Sequence, residues 1–312
     1  MVDVITFGET MARLTAPSVG PLRHATTLSL SIAGAESNVA IALSRLGAAA
    51  HWIGRVGDDE FGRLVIGILR AEGIGLDVVV DVGAPTGVLL KERRTSTTSR
   101  VQYYRAGSAG SRLVPENLPA NRIAEARVVH LTGITAAISA TALAACHSAI
   151  DVAAAAGTAV SFDLNFRRAL WSEEEAAPVL RDLTSRADIV FATVAEARLV
   201  VDGNSPGELA QALSVLGPRE VLIKDGARGA TAMIDGDVFV AGPFAVAEID
   251  PVGAGDAFAA GYLAERCLGA GPMARLDTAA RCGAFAVTVD GDWEGSPSRA
   301  DLTLLGGEEV VR

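Results

Sequence analysis

Residues 250–262 read Asp-Pro-Val-Gly-Ala-Gly-Asp-Ala-Phe-Ala-Ala-Gly-Tyr. Gly253, Ala254 and Gly255 leave almost no side chain between the backbone and a ligand, while Ala257 onward has the small and apolar residues of a buried helix. This pattern predicts a loop turning into a helix N-terminus, where unpaired N–H groups and the dipole attract negative charge. Asp256 stands at that point. A carboxylate beside a phosphate-attracting cradle repels the phosphate unless it has a task there. The obvious task is to accept a proton from a hydroxyl that attacks the phosphate. An N-capping aspartate after a tight glycine turn is the alternative reading of the same residues.

The composition narrows what such a site can serve. At 312 residues the chain can bury a large core, as one substantial domain with an appendage or as two domains, and half of its residues are apolar. The formal charge of −10 and the scarcity of basic runs argue against nucleic acid and anionic membranes as partners. An anionic substrate must then be held by a few local cations. Lys91 and Lys224 are the two lysines among 27 basic residues, and they are followed by Glu92 and Asp225, so a Walker-A loop is excluded. A dinucleotide-binding glycine pattern after a strand and the protein-kinase motif set are also missing. Cys146, Cys267 and Cys282 lack paired spacing and read as packing residues of a reducing compartment. The N-terminus reads as a strand and not a signal peptide, and the Ala-rich run 136–156 is broken by His147 and Asp151. A cytoplasmic protein is expected.

The elements that must position Asp256 follow a recurring rhythm. Residues 2–7 form a short apolar run, read as a buried strand. Residues 9–32 are polar, are broken by Pro17, Gly20 and Pro21, and end in an alternating stretch that predicts a half-exposed antiparallel strand. Residues 33–47 read as a tight turn feeding a helix that stops at Gly47, and residues 51–56 as a strand. Asp58 and Asp59 then read as caps of the next helix. Residues 86–104 are strand-like in two runs around a polar turn, 93–100. Together with residues 10–32 they predict a small sheet standing off the main body. In the two-residue strand period Tyr103 and Arg105 share a face, and a phenol beside a guanidinium suits a carboxylate with neighbouring hydroxyls. An exposed edge strand with solubilising residues reads the same way.

From residue 111 onward strands and helices alternate, which predicts a parallel sheet with helices on both faces and ligands beyond the carboxyl ends of its strands. Gly133, Ile134 and Thr135 occupy one such end, and the Asp-Leu-Asn-Phe-Arg segment of residues 163–167 another. Gly226 and Gly229, three apart after the strand that ends near Lys224, can turn backbone N–H groups toward phosphates.

The order of these segments resembles the ribokinase-like, or PfkB, family of carbohydrate kinases over residues 2 to about 305, with the 104–111 wording closest to its 2-keto-3-deoxygluconate kinases. The resemblance implies an α/β fold: a three-layer α/β/α core with a mostly parallel sheet, plus a small β-sheet lid. The expected division is 1–9, 33–85 and 107–312 for the core and 10–32 with 86–106 for the lid. It implies ATP and Mg2+ as cofactors, Asp256 as base, and Gly253, Ala254 and Gly255 as the anion hole. By the same resemblance Gly34, Asn38, Tyr103, Arg105, Ile134, Arg167 and Asp292 face the substrate, Arg167 through the transferring phosphate or the sugar. Asn165, Lys224, Gly226, Gly229, Gly253 and Gly255 face the nucleotide. Glu196 is expected to reach magnesium through water, because Thr193 stands where many family members have Asn.

The substrate implied is 2-keto-3-deoxy-D-gluconate, phosphorylated to its 6-phosphate. The alternatives are its galactonate epimer, fructose or ribose, or a regulator that binds a sugar acid without turnover. Pro251 replaces the family's usual Thr, and Leu89 stands where a substrate-contacting Tyr is expected. Open lid strands imply a homo-oligomer.

Overall fold

The computed structural model describes residues 2–95 and 98–305. Its main sheet has nine strands. Seven of them run parallel, and all but β5 are short apolar stretches of the sequence: β1 (Val4–Phe7), β4 (Ala50–Gly57), β5 (Gly75–Asp81), β8 (Val128–Thr132), β9 (Ala159–Asp163), β10 (Ile189–Thr193) and β11 (Glu220–Lys224). The strands β12 (Ala230–Ile234) and β13 (Asp237–Ala241) extend the sheet antiparallel at one edge. The spatial order is β13-β12-β11-β10-β9-β8-β1-β4-β5.

Successive strand residues point to opposite faces, so the strands feed two cores. Val4, Phe191 and Leu222 belong to one, built with α1 (Ala35–Arg45), α2 (Glu60–Ala71), α9 (Ala254–Cys267) and α10 (Pro272–Ala286). Ile5, Val190 and Val221 belong to the other, which is covered by helices that include α3 (Ala120–Glu125), α5 (Ala140–Ala156), α6 (Glu173–Ser185) and α8 (Pro206–Ser214). Two short helices, α4 (Gly133–Ile138) and α7 (Val194–Val200), begin directly at the ends of β8 and β10. Among the described residues no helix is long and apolar enough to cross a membrane.

A separate four-stranded sheet has the order β3-β2-β6-β7, from β2 (Met11–Val19), β3 (Ser29–Ala33), β6 (Val88–Arg93) and β7 (Ser99–Tyr104). It draws on both stretches expected to form it. Residues 96 and 97 of the expected turn lie outside the described residues.

Two local readings change. Residues 11–19, which look broken at Pro17, form one nine-residue strand. Its ladder to β6 shifts register between Thr15 and Val19, so the missing Pro17 N–H interrupts no regular pair. Residues 75–81 also form a strand that the sequence pattern does not announce. This strand is an edge of the main sheet and only partly buried, which blurs its pattern. Asp59 is the cap expected, accepting the Gly62 N–H at 2.7 Å.

Candidate active site

Between the two sheets lies a cleft of about 1530 Å³, and every candidate residue from the sequence lines it. The reason is topological: the residues come from the carboxyl ends of β8, β9, β10 and β11, from the start of α1 and α9, and from the face of the small sheet turned toward them.

At one wall, Gly253 takes the left-handed conformation with φ 80° and starts α9 without any side-chain cap. A Cβ at this position would overlap the carbonyl oxygen of Asp292, so only glycine lets the two segments meet. Asp256 is one turn in, buried, and its Oδ2 accepts a hydrogen bond from Asn38 Nδ2 at 2.8 Å. Burial pushes its carboxyl up to about 7, with the Asp163 charge adding and the Asn38 hydrogen bond, Arg167 and Lys224 opposing. A carboxylate of this kind takes up a proton readily near neutral pH. Asn38 keeps Oδ1 buried and without a protein partner, free to accept from a ligand hydroxyl.

Behind this helix start, Lys224 donates to Asp163 Oδ2 at 2.6 Å. A Cβ on Gly255 would touch its ammonium at 3.4 Å, so the Lys224 charge sits beside the open helix end. Arg167 is exposed and makes no ion pair among the described residues, whereas Arg168 is spent on Glu173. Asn165, just after β9, holds φ 37°, an unusual conformation for a side chain other than glycine. Gly226 and Gly229 have φ of 56° and 95° in the turn after β11. Glu196 caps α7, with its two oxygens taking the N–H groups of Phe166 (3.1 Å) and Thr193 (2.7 Å).

On the small sheet, Tyr103 and Arg105 do share a face, with the guanidinium carbon 5.7 Å from the ring centroid. Arg105 is not a free cation, however. It forms an ion pair with Glu9 at 2.5 Å, and Ser108 donates to the other Glu9 oxygen. Asp292 is likewise engaged, by Arg13 at 2.7 Å. Burial raises its carboxyl, and Arg13 and Lys91 only partly offset this. Leu89 packs with Met11 and Ala33 in a small apolar cluster, and Val101 lies against it.

Arg105 and Arg167, the arginines expected to face the substrate, have further cations beside them. Lys91 and Arg13 are also buried in or beside the cleft and Lys224 is partly buried there, and Glu9, Arg13 and Lys91 were missed as members of the constellation. Glu9 had a usable signal, since it follows the carboxyl end of β1, where ligands gather in parallel sheets. Arg13 and Lys91 had none, because their partners are more than 150 residues away in sequence.

A mostly parallel α/β sheet, a glycine turn opening a helix toward the cleft, and a buried aspartate of raised proton affinity on that helix are the features of a phosphotransferase that acts on a hydroxyl. The pfkB family carbohydrate kinase profile matches residues 1–299. The 2-dehydro-3-deoxygluconokinase of Thermoproteus tenax is 37% identical, covering 98% of this chain and 94% of the relative. That of Bacillus subtilis is 34% identical, covering 99% and 97%. A solved structure of a putative ribokinase II from E. coli in complex with ATP and Mg2+ superposes with a TM-score of 0.91 at 26% identity, covering 98% of this chain and 99% of that one. The chain belongs to the PfkB family of carbohydrate kinases and has its ribokinase-like fold.

Proposed function

We propose that this kinase transfers the γ-phosphoryl group of ATP to the terminal hydroxyl of 2-keto-3-deoxy-D-gluconate, giving the 6-phosphate. The observation that carries the reading is Asp256, a buried carboxylate with a raised proton affinity at the uncapped start of α9. The hydroxyl oxygen attacks phosphorus as Asp256 takes its proton, and the bond from phosphorus to the leaving nucleoside diphosphate oxygen breaks. The N–H groups of Gly253, Ala254 and Gly255 receive charge on the moving phosphoryl group, with Lys224 and Arg167 adding positive potential. Asn165, Gly226 and Gly229 serve the nucleotide. Gly34, Asn38, Tyr103, Arg105, Ile134 and Asp292 serve the sugar.

Magnesium, when bound, neutralises the phosphate charges. Among the described residues no cluster of three metal-binding side chains exists, and both Glu196 oxygens already accept N–H groups. The ion would therefore arrive with the nucleotide, and Glu196 would meet it through water. The four-stranded sheet, residues 10–32 and 86–106, acts as a lid that excludes water from the transfer. Its open edges, β3 and β7, together with exposed Leu28, Leu30 and Tyr104, suit pairing with a second copy of the chain, which the mass in solution tests.

The names of the two relatives and the Tyr103–Arg105 pair support an acidic sugar. The second reading is a neutral sugar, fructose or ribose, favoured by Glu9, which already compensates Arg105, and by Leu89. The deciding experiment is ADP release with magnesium against 2-keto-3-deoxygluconate, its galactonate epimer, fructose and ribose. Preference for the two acids supports the proposal, and preference for a neutral sugar discards the substrate while keeping the kinase. Ligand binding without any turnover would discard catalysis.

A further inference from the structure

Lys91 lies in the middle of β6 and is almost fully buried, with 2% of its side chain exposed. Its ammonium donates to Oδ2 of Asp250 and stands 3.8 Å from Asp290. The same Oδ2 accepts the Gly291 N–H at 3.2 Å, and Oδ1 accepts the Val252 N–H at 3.3 Å. The backbone N–H of Asp250 reaches the Val287 carbonyl, also at 3.2 Å. Asp250 is thus the knot between segments 249–253 and 287–292. Those two segments meet again where Gly253 presses against the carbonyl of Asp292. Among the described residues Lys91 is the cation within ion-pair distance of Asp250. Burial raises the Asp250 carboxyl, but Lys91 and the two N–H groups more than offset this and hold it below its ordinary value.

A buried ion pair is poor value for stability alone, since well-packed apolar residues often do as well. What this one supplies is a fixed place for the loop that leads into the glycine turn. We propose that Lys91 is a positioning residue for phosphoryl transfer: a charge delivered by the four-stranded sheet that braces Asp250 and thereby aims the N–H groups of the turn at Gly253. The proposal rests on the kinase reading above. It extends that reading by making the small sheet part of the catalytic geometry as well as a cover.

The test compares Lys91→Met with the double variant Lys91→Met/Asp250→Asn, which leaves no unpaired buried charge. Misplacing the cradle by about 1 Å predicts a fall in kcat of about 10²-fold in both, with sugar KM and nucleotide Kd changed by less than about 3-fold. The double variant recovers Tm lost by the single one and stays slow. In Lys91→Ala, added ethylammonium raises kcat, and the bulkier tetramethylammonium does not. Recovery of kcat together with Tm in the double variant, or a loss confined to sugar KM, overturns the proposal. Hydrogen exchange supplies a readout that needs no turnover: amides 250–256 exchange faster in Lys91→Met, and unchanged exchange also overturns it. If the wild-type chain phosphorylates none of the sugars, the kinase reading fails, and the exchange result still decides whether Lys91 braces the loop.

Discussion

Replacing Asp256 by Asn should make the protein more stable and nearly inactive, and the gain should depend on pH in a defined way. Burial is the main cause of the rise of the Asp256 carboxyl from 3.8 to about 7. Between these values the folded chain keeps a proton that the unfolded chain has lost. Stability therefore falls as pH rises through this window, and is flat above about 7. Each pH unit of displacement corresponds to about 1.4 kcal/mol, so ionising Asp256 costs the fold at most about 4 kcal/mol at neutral pH and above. Water reaching the cleft lowers that figure. The Asn variant carries no charge and can still accept from Asn38, so it escapes the decline. Urea unfolding of both proteins from about pH 4 to pH 8 gives the difference directly, with contributions from other titrating groups cancelling. The variant's advantage should grow from near zero to between about 1 and 4 kcal/mol. A difference that is constant with pH, or of opposite sign, would refute the burial argument. In the same preparation kcat should fall by about 10²–10⁴-fold with nucleotide affinity kept, from the usual worth of a general base. Full activity would refute the role.

Other consequences can be read separately. The acid limb of the kcat/KM profile should lie near pH 7, and Arg167→Gln should move it to higher pH, because the Arg167 charge now lowers the Asp256 carboxyl; a limb that stays put would detach Arg167 from the site. Gly253→Ala forces a Cβ into the Asp292 carbonyl at φ 80°, so kcat should drop by about 10²–10³-fold and Tm should fall, and a normal Tm with normal kcat would show that the close approach is not needed. Arg105→Ala should raise KM for an acidic sugar by about 10-fold or more and leave a neutral sugar nearly unchanged. Equal effects on both would remove the carboxylate argument and point to release of Glu9.

Much of the site was legible because its chemistry is local. The glycine turn and Asp256 lie within four residues, and the turn, the helix start and the buried face follow from side-chain size alone. The apolar strand runs were equally plain, since a parallel strand is covered on both faces and loses its alternation. Residues 75–81 and 11–19 were harder to read. An edge strand and an irregular ladder relax the very pattern that identifies a strand.

By itself the sequence determined the class of fold, the position of the glycine turn at a helix start and the presence of an aspartate beside it, each a property of contiguous residues. Only the tertiary structure decided the electrostatics. Asp256 takes its raised proton affinity from burial and from the Asp163 charge on β9, against the opposing charges of Lys224 on β11 and Arg167 in the loop after β9. Arg105 is paired to Glu9, Asp292 to Arg13, and Asp250 to Lys91, across 96, 279 and 159 residues of sequence. Charge acts through distance and dielectric, and neither exists until the chain has folded.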